Sequence, residues 1–331
     1  MKKVRIAQIG TSCHSHGTVV FDTIKSLPDI FEIVGYALPE NEREKFPNQV
    51  KTFSDYREMS VEEILNDPSI EAVFVETEEI YLTKYAQMVA EAGKHMHMEK
   101  PGGVSLEAFE RLIATVRANG TVFHTGYMYR YNPAIRPIIE RIKAGEIGKV
   151  VSVEAQMNCR HGREVTEWLS AFPGGMMFFL GCHMVDLVMQ IQGVPQSVTP
   201  FNKCSGRFEG VSTIDSSMAI LEYENGASIV RSNAVEIGGF SRRQLVVTGT
   251  KGRFVVCPLE INVSYPLEAT DYSECFEDKW DAKSEWKRSE NYDRYSAMLS
   301  SFAAMVRGEI ENPYTYDYEL ELFRTLIKCC G

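Results

Sequence analysis

The stretch Glu71–Gly103, EAVFVETEEIYLTKYAQMVAEAGKHMHMEKPGG, reads as strand, helix, strand and loop. Ala72–Val75 is a short apolar run of the kind a parallel strand shows when both of its faces are covered. Tyr81, Tyr85, Met88 and Ala92 recur at helical spacing, and Gly93-Lys94 is a helix stop that sets a cation at the negative end of the helix dipole. His95–Met98 follows at once as a second strand. Such a crossover unit belongs to an open parallel sheet, in which ligands bind beyond the carboxyl ends of the strands. Thr77 and the loop Glu99-Lys100-Pro101 fall at those ends.

Towards the N-terminus, Val4–Gly10 is a first strand running into glycine, followed by a helix that begins near Gly17 or Thr18 and ends before Pro28. That order opens a dinucleotide-binding fold, whose Gly-x-Gly-x-x-Gly turn lets a pyrophosphate approach backbone amides at a helix N-terminus. Here the loop is Gly10-Thr11-Ser12-Cys13-His14-Ser15-His16-Gly17, with Ser12 at the second glycine and Gly17 as the third. Gly10, Thr11, Ser12 and Gly17 are therefore expected to hold the cofactor. Cys13, His14 and His16 lack a downstream pair at zinc-site spacing, and His95 and His97 read as histidines at a strand end, so no metal is expected. Phe31–Tyr36 is the second strand. Ser60-Val61-Glu62-Glu63 is a capping box, Ser105 starts a helix that stops near Asn119-Gly120, and Val122–Gly126 closes the sheet.

From Lys149 the pattern changes to longer alternating strands such as Val150–Ala155. Ser217–Tyr223 and Ala227–Ser232 are joined by Glu224-Asn225-Gly226, a hairpin signal, and Gln244–Gly249 faces Arg253–Cys257 across Thr250-Lys251-Gly252. Gly174–Ile191 is apolar and helical, and two more helices run from Tyr295 to Val306 and from Tyr318 to Leu326. The expected fold class is α/β: a Rossmann dinucleotide-binding domain over residues 1–125, then an α/β domain with an open, mostly antiparallel sheet over residues 126–331.

A chain of 331 residues with 44% hydrophobic and 24% charged residues is long enough for two cores. Its net charge of -10 argues against nucleic acid or an anionic membrane surface as a partner. With no leader pattern or membrane-length apolar run, and with eight cysteines in no repeated spacing, a cytoplasmic protein with reduced thiols is expected.

Thr77, Ala92-Gly93-Lys94-His95 and Glu99-Lys100-Pro101 resemble, in order and spacing, a signature of the Gfo/Idh/MocA family of glucose-fructose oxidoreductase, inositol dehydrogenase and MocA proteins. That signature is a Thr-Pro-Asn turn, a helix end Ala-Gly-Lys-His and Glu-Lys-Pro; Glu78 and Glu79 replace the proline and asparagine. Arg130-Tyr131-Asn132-Pro133 is similar to the family's linker. Gly181, His183 and Asp186 match its Asp-x-Gly-x-His-x-x-Asp motif, with Phe179 at the first aspartate. In the same register Leu38 stands where an acidic ribose ligand would be, followed by Glu40 and Arg43, so NAD and NADP both stay open as cofactor.

The resemblance implies hydride transfer between NAD(P) and a hydroxyl carbon of a sugar, cyclitol or glycoside. Lys100 would hydrogen-bond the reacting oxygen, His183 would be the general acid and base, and Thr77, Glu99, Lys100 and Pro101 would line the cofactor. Arg130 would clamp cofactor or substrate, or form an interdomain ion pair. Asp186 would bind a substrate hydroxyl or orient the imidazole, and Phe179 would be an apolar wall. Two alternatives stand beside it: a glycosidase-like enzyme using bound NAD for transient oxidation, and a non-catalytic dinucleotide-binding regulator. The expected partners are a small sugar-like or polyol-like substrate and further copies of the chain, as a homodimer or homotetramer.

Overall fold

The computed structural model describes residues 2–331, which form two compact units. Residues 2–127 with 295–320 make the first, and residues 128–294 with 321–331 make the second. The division at 125 thus shifts by two residues. Tyr295–Leu320, assigned from sequence to the second domain, groups with the first unit.

The first unit carries a five-stranded parallel sheet of β1 (Val4–Ile9), β2 (Phe31–Ala37), β3 (Ala72–Val75), β4 (His95–Met98) and β5 (Phe123–Thr125), in the order β2-β1-β3-β4-β5. Every residue of β3 is buried, as its unbroken apolar run requires. The returning segment belongs here because it closes one face of the sheet. Phe302 meets Phe74 edge-on at 5.4 Å, Thr125 donates to Glu319 at 2.9 Å, and Asn312 donates to the Phe123 carbonyl at 2.8 Å.

Local signals behave as their chemistry dictates. Ser60 and Glu63 form the reciprocal capping box on the helix Val61–Asn66. Ser105 caps Leu106–Asn119, and Gly120 ends it in the left-handed region. The helix Leu82–Glu91 corrects one expectation. Its buried stripe is Leu82, Tyr85, Ala86, Val89 and Ala90, whereas Tyr81 and Met88 are half-buried and Ala92 is exposed. Two apolar stripes overlap in that segment, and the pattern Leu82-Ala86-Val89 also has helical spacing.

The second unit is built on an eight-stranded sheet. Its strands are β6 (Val150–Gln156), β7 (Ser197–Lys203), β8 (Ser216–Tyr223), β9 (Gly226–Asn233), β10 (Gln244–Gly249) and β11 (Gly252–Val256). A small three-stranded sheet adds β12 (Ile261–Ser264), β13 (Leu267–Ala269) and, after β14 (Asp271–Cys275) and β15 (Glu285–Arg288) of the large sheet, β16 (Tyr292–Asp293). The large sheet runs β15-β14-β11-β10-β6-β9-β8-β7, and β6–β9 is a parallel pair among antiparallel neighbours. The hairpin signal resolves into a two-residue turn, Glu224-Asn225. Gly226 is the first residue of β9, with φ +155, where a Cβ would run into the Val151 carbonyl. Among the described residues no helix is long and apolar enough to cross a membrane.

Candidate functional site

In the first unit the chain passes from β1 to β2 on one side and then crosses back to β3 on the other, so the switch point lies between the carboxyl ends of β1 and β3. Gly10 occupies that point with φ +89, and its N–H donates to the Ala37 carbonyl at 2.8 Å. A Cβ at Gly10 would lie 2.7 Å from the Thr77 Cα, so the loops after β1 and β3 touch only because position 10 has no side chain. Ser12 is buried, and its hydroxyl accepts from the His14 N–H at 3.1 Å; Ser15 does the same for Gly17 at 3.3 Å. The serines thus brace the loop from within. The Thr11 N–H donates to Glu42 Oε2 at 3.1 Å, and the helix Gly17–Lys25 starts where the loop ends.

A glycine turn at the switch point, a helix opening from it, and a buried Glu42 Oε1 with no hydrogen-bond partner fit the ribose and pyrophosphate of a dinucleotide. Gly10→Ala is expected to weaken NADH binding by about 10-fold or more, since a left-handed alanine costs roughly 1–2 kcal/mol before any clash. The check is the rise in melting temperature with added NADH, and an unchanged rise would remove the turn from the binding site.

Lys100 follows β4, is buried, and forms a cis peptide with Pro101. Its Nζ lies 3.5 Å from Glu99 Oε1, which His16 Nδ1 approaches at 3.6 Å. Burial works to raise the Glu99 pKa, but the charges of His16 and Lys100 outweigh it and hold the carboxyl below its ordinary value. Glu76, at the end of β3, goes the other way: burial, then the charge of Glu99, pushes its carboxyl well above the ordinary value. Burial lifts Glu79 to about 7 and Glu42 to about 9, and pushes His97 down to about 4. His97 Nδ1 lies 2.6 Å from His124 Nδ1, so a neutral pair shares one proton between those atoms.

These shifts carry a pH dependence with a definite sign. Glu42 and Glu79 bind more protons when folded than when unfolded, being lifted from the ordinary 4.5 to about 9 and about 7. Their stabilisation is complete below 4.5 and is lost as pH rises through those values, at up to about 1.4 kcal/mol per pH unit for each group. His97 acts oppositely, but only below about 6.5. The ligand-free protein is therefore expected to be less stable at pH 8 than at pH 6.5 in urea melts, with a flatter dependence in Glu42→Gln. Equal slopes in wild type and variant would show that Glu42 does not titrate in this range.

In the second unit the apolar segment 174–191 is a π-helical turn, Met177–Gly181, continuing as the α-helix Cys182–Gln192. Such turns alter which side chains share a face, and His183 lies just past this one. His183 is buried, with the Tyr129 ring edge-on at 5.5 Å. The Tyr129 hydroxyl bonds Glu260, a carboxylate also held by Arg243 and by Arg294 at 3.5 Å. Arg130 grips Asp186 through Nε, at 3.1 Å to both oxygens, and through Nη2 at 2.8 Å; Gln190 donates to Asp186 at 2.8 Å. Arg130 thus has an ion-pair partner within its own unit, and Asp186 is engaged by both Arg130 and Gln190. Phe179 packs against the edge of Trp168 at 5.0 Å and lies 6.2 Å from His161.

The structure brings Gly10, Thr11, Ser12, Gly17, Thr77, Glu99, Lys100 and Pro101 to one end of the first sheet, and Arg130, His183 and Asp186 together in the second unit. Glu42, Glu76 and the Tyr129–Glu260 pair escaped the sequence reading. An acid directly after the buried run Ala72–Val75 was a signal for Glu76; nothing marked Glu42.

Residues 4–127 match the family described as "Oxidoreductase family, NAD-binding Rossmann fold", and residues 135–255 match the GFO/IDH/MocA C-terminal domain. The chain belongs to the Gfo/Idh/MocA oxidoreductase family. Among Gfo/Idh/MocA relatives, it is 25% identical over 239 residues to a scyllo-inositol 2-dehydrogenase (NAD(+)) of Bacillus subtilis, covering 64% of this chain and 69% of that one. It is 26% identical over 197 residues to bovine trans-1,2-dihydrobenzene-1,2-diol dehydrogenase, covering 58% and 56%. It is 29% identical over 210 residues to the uncharacterized oxidoreductase YrbE of B. subtilis, covering 60% and 57%. The alignments with the last two thus span little more than half of those curated relatives. A solved 3-ketoreductase from Actinomadura kijaniata superposes with a TM-score of 0.78 at 15% identity, covering 98% of this chain and 96% of that one, which shows the shared fold.

Proposed function

We propose that the protein is an NAD(P)-dependent dehydrogenase that oxidises a CH–OH group of a small hydroxylated substrate, of the sugar, cyclitol or glycoside class. The observation that carries this reading is Lys100, buried beside the ionised Glu99 at the carboxyl end of β4, in the unit whose glycine turn fits a dinucleotide. A bound nicotinamide supplies the hydride acceptor. Lys100 hydrogen-bonds the reacting oxygen, with Glu99 as its counter-charge. His183 takes the hydroxyl proton, a task that suits an imidazole near neutrality. Relatives named as dehydrogenases of an inositol and of a dihydrodiol support vicinal diols as the substrate type.

Phe179 and Trp168 favour a refinement, because an aromatic pair in place of an acid suits a substrate with one apolar face, such as a glycoside or a cyclic diol. The test is a panel of inositols, free sugars, aryl glycosides and cyclic diols with NAD and NADP, read by formation of the reduced nicotinamide. Net reduction supports the dehydrogenase. Glycoside cleavage without net reduction would replace it by the transient-oxidation mechanism, and binding without turnover by a regulatory protein.

A further inference from the structure

We propose that Glu42, on the short helix Glu42–Lys45, reads the adenosine ribose 2′-hydroxyl and makes the site select NAD over NADP; this rests on the dinucleotide-binding reading above. An acid that reads the ribose ordinarily stands at the end of the second strand, where it accepts from the ribose and excludes a 2′-phosphate. Here that place holds Leu38, which turns away to pack on the cluster Phe21, Tyr36 and Phe53. Glu42 reaches the same corner from one turn further along. Its Oε2 accepts the Thr11 N–H at 3.1 Å, one residue past the switch-point glycine, whose own N–H binds the last carbonyl of β2.

The second oxygen of Glu42 carries the argument further. The side chain is 0% exposed, and Oε1 has no hydrogen-bond partner. A buried carboxyl oxygen without a donor is costly, and burial accordingly pushes the group up to about 9. A ribose hydroxyl is the donor it lacks. Access requires a neighbouring segment to move, and the residues entering the helix are Glu40 and Asn41, both non-glycine and left-handed at φ +59 and +58. Such backbone conformations cluster at ligand clamps and switch segments.

The surroundings oppose a 2′-phosphate. Glu40 and Glu78 are the other acids whose charge reaches Glu42, and Lys45 is the cation that does. Each basic residue of the corner is already matched: Lys45 with Glu78, Lys84 with Glu40, and Arg43 with Glu58 and Tyr36. A 2′-phosphate would add about two negative charges to this acidic corner, with each nearby cation already in an ion pair.

The experiment is direct titration of NADH and NADPH by nicotinamide fluorescence against the whole protein, wild type and Glu42→Gln. Gln keeps an acceptor for the Thr11 N–H but cannot ionise to meet a ribose hydroxyl. Wild type is expected to bind NADH at least about 10-fold more tightly than NADPH, and Glu42→Gln to lose about 10- to 100-fold in NADH affinity while NADPH binding holds or improves. A purely structural role would weaken both ligands equally and leave their ratio unchanged, which would overturn the proposal. Should the variant fail to fold, wild type titrated with 2′-deoxy-NAD decides: binding as tight as NAD excludes the contact, and a loss of about 10-fold supports it. Equal affinity of wild type for NADH and NADPH sinks this inference and leaves the dinucleotide site standing. Failure to bind either sinks both.

Discussion

Alanine at position 183 is expected to lower kcat on the true substrate by about 100- to 10,000-fold, the usual contribution of a positioned general base. NAD(P) affinity should hardly change, because the glycine turn and Thr77 belong to the other unit. Lys100→Met is expected to cost as much in kcat, with a second signature. Removing the ammonium takes a positive charge from beside the buried Glu99, so the variant should also bind cofactor less tightly and melt lower. Steady-state kinetics paired with cofactor titration separates the two. A His183→Ala enzyme with full activity would remove the imidazole from the mechanism.

The largest stability effect is expected at Arg130. Its pairing with Asp186 is buried on both sides, so Arg130→Met takes the guanidinium from a buried carboxylate and should cost about 3–5 kcal/mol. For a unit of this size that lowers the melting temperature by about 6–20 °C. The double variant Arg130→Met/Asp186→Leu is expected to recover most of the loss, because the penalty belongs to the buried charge. Calorimetry on the two variants checks it. A single variant that stays stable but loses substrate affinity would mean that Arg130 serves the ligand and not the fold.

The fold was legible where one physical signal dominated. The unbroken apolar run of β3, the Ser60–Glu63 box and the alternation of β8 and β9 each admit a single solution. The helix Leu82–Glu91 was legible as a helix but not in its orientation, because two stripes of similar hydrophobicity share it. The site divided in the same way. Gly10 and Lys100 announced themselves by backbone need and by motif. Glu42 did not, since an acid in the charged run Glu40–Lys45 reads as solvated surface until the chain's turn buries it. The Arg130–Asp186 pair was equally hidden: two residues 56 apart become partners through the fold of the second unit, which no local period encodes.

The parallel partnership of β6 with β9 has a consequence for biosynthesis. Val153 and Ser228, hydrogen-bonded across that pair, lie 75 residues apart. At about 5–20 residues per second, a ribosome delivers β9 roughly 4–15 s after β6. During that interval the middle strand of the large sheet has emerged with neither neighbour, since β10 comes later still. Its apolar positions Val153 and Ala155 must be kept from other nascent chains for that time, so the yield of the newly made protein should depend on chaperone supply and on translation speed through residues 157–226.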